Sequence, residues 1–282
     1  MRLSTVKELS LMANTIRQDI IRMLLPAASG HTAGPLGLAD IFSILYFHEM
    51  DYDPKRPDWP SRDRFVLSNG HCAPVLYAAM ARAGYFPIEE TLTLRKLGSR
   101  FQGHPSKHWM PPVENSSGPL GEGLAIACGI ASAGKLDKSA WRVYCVTSDG
   151  EHQEGSTWEA VMFAAKYKLD NLVAICDRNY IQIDGNTEDV MPLGDMAEKY
   201  RAFGWHAITV NGHDYPALLS ALEEAKKTKG KPTMIIANTT PGKGVKLFEN
   251  KYEWHGVAPN KAQAEQALAE LSEERKKIGG SA

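Results

Sequence analysis

With 282 residues and a formal net charge of -1, the chain can bury a sizeable core and offers no basic surplus for nucleic acid. No apolar run approaches the ~20 residues that cross a bilayer, and the amino terminus lacks a signal-peptide pattern. Cys72, Cys128, Cys145 and Cys176 form no CxxC pair, which fits reduced structural thiols in a cytoplasmic protein.

Residues 5–25 place Val6, Leu9, Met12, Ile16, Ile20 and Met23 at helical spacing, a long amphipathic helix ending before Pro26. A glycine-rich loop holding His31 follows, then a helix over about 38–50. Next comes DRFVLSNGHCAPVLY, a short strand ending at Ser68 and a helix from about Ala73. That places His71 at a strand-to-helix turn, where backbone donors favour an anion. A polar helix is expected over 89–97. The proline-rich stretch after it cannot be regular structure; it carries His104 and leads through GPLGEG into a helix of small residues. Taken singly, each loop histidine also reads as a surface, capping or hydrogen-bonded turn residue.

The centre of the chain is residues 142–185. Two short apolar runs, 143–147 and 172–176, each end abruptly in polar residues, and between them a helical pattern over 155–167 puts Trp158, Val161, Met162 and Ala165 on one stripe. Strand, helix and strand make the two strands parallel, and ligands of such sheets gather beyond the strands' carboxyl ends, where Asp149 and Asn179 lie. A carboxylate, an amide oxygen and backbone carbonyls suit Mg2+ that keeps places for water and phosphate oxygens. Taken alone, Asp149–Gly150 also reads as a turn and Asn179 as a cap, and the spacing does not choose between them.

Beyond residue 185, helix, strand, helix and strand alternate as far as KPTMIIANTT, with Leu218, Leu219 and Leu222 on one helical face. The alternation predicts an α/β doubly wound, mainly parallel sheet with helices on both faces. A loop with Pro241, Lys243 and His255 follows, and a charged amphipathic helix over about 260–277 is expected to pack on the sheet edge. The lysines of 226–231 read as a solvated face.

SDGEHQEGSTWEA with AAKYKLDNLVAICDRNYIQIDG closely resembles the diphosphate-binding motif of thiamine diphosphate enzymes, in its transketolase form. SGHTAGPLGLADI, SNGHCAPVLY, GHP, GPLGEG and WHG resemble the same family's active-site loops. The resemblance covers about residues 5–259 and implies one diphosphate-binding domain over 1–282. It implies Asp149, Asn179 and the Ile181 carbonyl as metal ligands, for Mg2+ or in its place Ca2+ or Mn2+. Around the thiamine diphosphate it implies His71, Gly118, Leu120, Gly150, Asn179, Ile183 and His255. The catalytic set it implies is His31, His71, His104 and His255, with Glu154 and Glu159 coupling to a partner's catalytic carboxylate. Departures from the family pattern are Thr32–Ala33 for Pro-Gly, Glu122 for Gln and Ser148 for Gly.

Full-length transketolases continue into a pyrimidine-binding and a carboxyl-terminal domain. The resemblance therefore implies that a partner chain carries both, in an α2β2 assembly with sites at its interfaces. The activity implied is transfer of a two-carbon ketol unit from a ketose, phosphorylated in the family's manner, to an aldose. The alternatives are another thiamine diphosphate heteromer, such as a 2-oxo acid dehydrogenase component or a deoxyxylulose phosphate synthase-like protein, and a cofactor-binding protein without catalysis.

Overall fold

In the computed structural model, which describes residues 2–279, the two central apolar runs are adjacent parallel strands in a five-stranded sheet. In chain order, α1 (Val6–Ala27) and α2 (Ala33–Ile44) precede β1 (Arg64–Leu67) and α3 (Ala73–Ala83). The small-residue helix α4 (Gly123–Leu136) leads to β2 (Val143–Ser148), α5 (Gly155–Lys166) and β3 (Leu172–Arg178). A small hairpin, β4 (Ile181–Gln182) and β5 (Gly185–Asn186), is followed by α6 (Thr187–Val190), α7 (Met196–Ala202) and β6 (His206–Asn211). Then come α8 (Tyr215–Lys227), β7 (Thr233–Asn238) and α9 (Lys261–Gly279).

The main sheet runs β1-β2-β3-β7-β6 with every pairing parallel, so all strand carboxyl ends open on one side. Alternation along the strands divides the core between the two faces. Tyr144, Val146, Val173, Ile175 and Ile235 pack under α1, α2, α3 and α8; Cys145, Leu172, Ala174, Cys176 and Ile236 pack under α4, α5 and α7. The four cysteines are free and buried. Among the described residues no helix is long and apolar enough to cross a membrane.

Several elements differ from expectation. Pro26 lies inside the last turn of α1, which closes when the Ala28 amide donates to Leu24 at 3.0 Å. α2 starts at Ala33, since Pro35, which lacks an N–H, lies in the first turn where an amide would have no intrahelical acceptor, and it continues as a π-turn over Leu45–Glu49. The helix expected over 89–97 is a short 3-10 segment, Ile88–Thr93; Arg95 and Gly98 then take positive φ (59° and 79°), which ends any helix. The helix expected over PLGDMAEKYRAFGW, residues 192–205, is only Met196–Ala202.

The buried line of α5 is Thr157, Ala160, Val161 and Ala164, while Met162 is 53% exposed. Trp158 instead stacks on Phe203, with Tyr200 tilted and His152 edge-on beside it. The face of α5 that carries Met162 is not the one turned to the sheet. α9 packs on α1 rather than on the sheet edge: Ala264, Ala267 and Leu271 are buried, and the Asn14 side chain donates to the Leu271 carbonyl at 2.9 Å. Lys226 is not simply solvated, because its ammonium lies 3.1 Å from the buried carboxylate of Glu49.

Candidate active site

Parallel strands place Ser68, Asp149, Asn179 and Thr239 at one end of the sheet, each just past the last residue of its strand or at it. The loops leaving those ends bring four histidines together. His31 has its ring centroid 4.9 Å from His71, 5.4 Å from His255 and 6.4 Å from His104, and His71 and His255 are 5.2 Å apart. They arrive from the α1–α2 loop, the 3-10 turn Gly70–Cys72, the long loop before α4 and the segment after the turn Tyr252–Trp254.

Close backbone contacts hold these loops in register. A Cβ on Gly70 would lie 2.5 Å from Ser117 Oγ and 2.8 Å from the Gly118 nitrogen. Gly118 takes φ +148° with His104 beside it, and a Cβ there would meet the ring at 3.5 Å. The Gly242 amide donates to the Ala33 carbonyl at 2.8 Å, tying the loop that carries His255 to the loop that carries His31.

All four imidazoles are held neutral. Burial, and then the neighbouring His255, Arg95 and His104, push His31 down to about 3. Burial pushes His255 to about 4 and holds His71 well below its ordinary value; burial followed by Arg95 lowers His104. Buried His31 Nδ1, His255 Nδ1, Asn69 Oδ1 and Ser117 Oγ have no hydrogen-bond partner among the described residues. Orphaned polar atoms are expensive to bury, and several on adjoining loops mark a place built for polar groups that are not the protein's own.

At the β2 and β3 ends, Asp149 is fully buried. Its Oδ1 accepts the Gly150 amide at 2.7 Å, and its Oδ2 accepts the Tyr180 amide at 2.8 Å and the Arg178 guanidinium at 3.1 Å. Burial raises its pKa against the opposing pull of Arg178 and the two amides. Asn179 Oδ1 accepts the Ile181 amide at 3.0 Å, and its amide nitrogen donates to Asp177 at 2.8 Å. Burial, reinforced by Asp149, pushes Asp177 up to about 7, although Thr239 and Asn179 donate to it. Tyr180, between Asn179 and Ile181, adopts φ +62°, the turn that sets this loop.

The donors at these ends are all oxygens: the Asp149 carboxylate, the Asn179 amide oxygen and the Ile181 carbonyl. No group of three or more His, Cys, Asp or Glu that could hold a metal occurs among the described residues. This set fits a hard cation completed by water and phosphate oxygens rather than an all-protein cage, and a guanidinium already occupies a cation's place beside Asp149. Gln182 Oε1 lies 3.5 Å from where a Gly150 Cβ would be, so that position is close to the loop on its other side.

Gly118 and Leu120 are half-buried, and Ile183, at the tip of the β4–β5 hairpin, is 69% exposed. Glu154 and Glu159 are exposed at the start of α5, and a Cβ on Gly121 would meet the Glu154 side chain at 2.7 Å.

Some site residues are not singled out by the sequence. Buried Glu151 accepts from the Gly121 amide at 2.9 Å, the Ser148 amide at 3.0 Å and the Ser68 hydroxyl, joining three loops. His213 donates from Nδ1 to Asp40 at 2.7 Å and accepts the Thr240 amide on Nε2 at 2.8 Å. Asn69, Ser117 and Arg178 complete the group. Asn69 and Ser117 do lie within motifs the sequence displays, but nothing in their spacing separates them from turn residues.

Residues 9–278 match the transketolase family's thiamine diphosphate binding domain. The chain is 41% identical over 262 residues to a 6-deoxy-6-sulfo-D-fructose transketolase subunit of Clostridium sp. strain MSTE9, covering 93% of this chain and 95% of that one. It is 39% identical over 273 residues to an apulose-4-phosphate transketolase subunit of Phocaeicola vulgatus, covering 97% of each. Human transketolase is 45% identical over 265 residues, which span 92% of this chain and 41% of that protein. In three dimensions the chain superposes on transketolase from Campylobacter jejuni with a TM-score of 0.85 and 33% identity, covering 98% of this chain and 48% of the other. A match along almost its whole length, with the histidine loops and strand ends assembled at one edge of the sheet, means that the chain belongs to the transketolase family, as a thiamine diphosphate-binding domain.

Proposed function

We infer that this chain is the diphosphate-binding subunit of a two-chain transketolase that moves a two-carbon ketol unit from a ketose to an aldose. The observation that carries this reading is the convergence of His31, His71, His104 and His255 beside the Asp149–Asn179 strand ends. Two relatives matched along nearly their full length bear the names of transketolase subunits, which supports a two-chain enzyme over the other thiamine diphosphate assemblies.

When bound, thiamine diphosphate supplies a carbon nucleophile and an electron sink for breaking a carbon–carbon bond. The chain's residues do the rest. Asp149, Asn179 and the Ile181 carbonyl hold a divalent cation, and Gly150 leaves room for the diphosphate. Gly118 and Leu120 line the ring system, and Ile183 adds a further contact to the cofactor.

The neutral imidazoles each offer one donor and one acceptor, so they can hold a substrate hydroxyl and take or return its proton as the carbonyl forms and is consumed. Their burial keeps them neutral and ready to accept.

The partner is a chain with pyrimidine-binding and carboxyl-terminal domains, in an α2β2 assembly. Supporting this, α4 and α5 turn an apolar strip outward, with Ile126, Met162, Phe163 and Tyr167 between 36% and 53% exposed. Glu154 and Glu159 stand at the end of that strip nearest the site, where a partner's catalytic carboxylate would meet them.

Purification from native cells followed by mass spectrometry tests the assembly, and a ketol-transfer assay on the purified pair tests the chemistry. A stoichiometric companion with the two further domains, and transfer that EDTA abolishes and Mg2+ restores, are expected. A chain that arrives alone and whose melting temperature thiamine diphosphate with Mg2+ does not raise would sink the reading.

A further inference from the structure

The Arg178 guanidinium is held on three sides. One nitrogen lies 3.1 Å from Asp149 Oδ2, another reaches the Glu188 carboxylate at the start of α6, and Cζ stands 4.1 Å over the Tyr180 ring. The Arg178 and Asp149 side chains are only 6% and 1% exposed, so water screens their attraction little. The guanidinium therefore sits at the end of β3, between the turn that carries Asp149 and the loop that carries Asn179 and Ile181.

We propose that Arg178 is a resident countercation of Asp149 that makes divalent-cation binding contingent on the diphosphate. This rests on Asp149, Asn179 and Ile181 being the cation's ligands. Asp149 is the single carboxylate of that set, and in the chain by itself its charge is already offset by Arg178, which it shares with Glu188. Its Oδ2 accepts from Arg178, from the Tyr180 amide at 2.8 Å and from the Thr187 hydroxyl at 3.4 Å.

A divalent ion arriving alone meets a fixed positive charge a few ångströms from its only anionic ligand, and it gains little from a carboxylate already satisfied by donors. A diphosphate brings several negative charges to the same place and reverses the balance. Metal and diphosphate then each tighten the other's binding by the same factor, as linkage requires.

The tie has a structural side as well. Glu188 is itself held by the Leu193 amide at 3.3 Å, so the guanidinium links the β2 end to the segment that follows the hairpin. Substitution of Arg178 by a neutral residue thus removes a charge and also leaves Glu188 without its partner. Arg178 is accordingly a positioning residue, and the test must separate the electrostatic role from the mechanical one.

The experiment is a Mn2+ titration followed by electron paramagnetic resonance, with and without thiamine diphosphate, on the chain purified with its companion. In the wild type, Mn2+ alone should bind weakly and thiamine diphosphate should tighten it. Arg178→Met should bind Mn2+ alone roughly tenfold more tightly and lose the same factor from the enhancement, within the usual range of coupling between sites. Arg178→Lys, which keeps the charge, should retain most of the enhancement.

Thermal melting checks that each variant is folded. If Arg178→Met alone does not fold, Arg178→Met/Glu188→Gln, which leaves Asp149 but not Glu188 without its countercharge, is compared with Glu188→Gln. The double variant should bind Mn2+ alone more tightly than the single one. Unchanged or weaker binding of Mn2+ alone in the Met variants, with the wild-type enhancement intact, overturns the proposal. Wild-type protein that binds Mn2+ neither with nor without thiamine diphosphate overturns instead the assignment of the ligands, and the proposal with it.

Discussion

Glu151 accepts the Gly121 backbone amide at 2.9 Å, so the loop that leads into α4 is fastened to the turn that leaves β2. The same carboxylate takes the Ser148 amide at 3.0 Å and the Ser68 hydroxyl, and burial raises its pKa while those three bonds oppose the rise. Glu151→Ala strands three buried donors and should cost about 2–4 kcal/mol in urea unfolding. Glu151→Gln, which keeps one acceptor, should cost roughly half as much. A loss below about 0.5 kcal/mol in the Ala variant, the range of ordinary surface changes, would show that the carboxylate does not fasten these loops.

The histidine cluster should make the chain without its cofactor sensitive to acid. His31 sits at about 3 and His255 at about 4 in the fold, both below the ordinary 6.5. The unfolded chain therefore takes up protons first as pH falls. The cluster's contribution to stability is complete above 6.5 and is lost as pH drops through the interval down to 4 and 3. Urea midpoints measured from pH 7.5 to 5 should fall, and His31→Asn/His255→Asn should flatten that fall. A double variant with the wild-type slope would place the acid sensitivity elsewhere.

His213 links the buried ion pair of Arg17 and Asp40 to the start of the loop that carries His255. Burial raises the Asp40 pKa, but Arg17 and His213 more than offset it and hold the carboxyl well below the usual carboxylate range. Asp40→Ala leaves Arg17 buried without its partner and should cost about 3–5 kcal/mol. His213→Phe fills the space but leaves the Thr240 amide without its acceptor, and about 1–3 kcal/mol should be lost. Limited proteolysis should then cut within residues 240–256 sooner than in the wild type. Equal cleavage rates would mean that the loop is held without His213.

The outward strip on α4 and α5 should matter for association and not for folding. Phe163 is 40% exposed and Met162 is 53% exposed. Phe163→Glu should leave the melting temperature of the isolated chain within about 2 °C, since surface substitutions are usually within about 0.5 kcal/mol. Binding to the companion chain, followed by sedimentation or surface resonance, should weaken at least roughly tenfold, as burying an unpaired charge in an interface does. Full-strength association in that variant would move the interface to another face.

The strands and their direction are legible in the order of residues alone. Two apolar runs joined by a helical pattern can only be parallel, and parallel strands send Asp149 and Asn179 to the same end of the sheet. The histidine loops are legible too, because their glycine and proline settings survive as local motifs. Less can be read where neighbours in space decide. Met162 has the same apolar character as Val161, and only the position of α5 against the sheet turns one inward and the other out. α9 buries Ala264, Ala267 and Leu271 against α1 because α1 offers Asn14 to the Leu271 carbonyl, a pairing across 257 positions that no local pattern records.

The site divides in the same way. That each of His31, His71, His104 and His255 lies in a loop follows from nearby residues, whereas their ring separations depend on how four loops pack. Glu151, Arg178 and His213 look like ordinary polar residues in the chain. Their burial gives them roles, since a charged or polar group removed from water must find partners, and the partners come from distant strand ends. Local chemistry is written along the chain; which groups leave water together, and so which must satisfy one another, is set by how its distant segments pack.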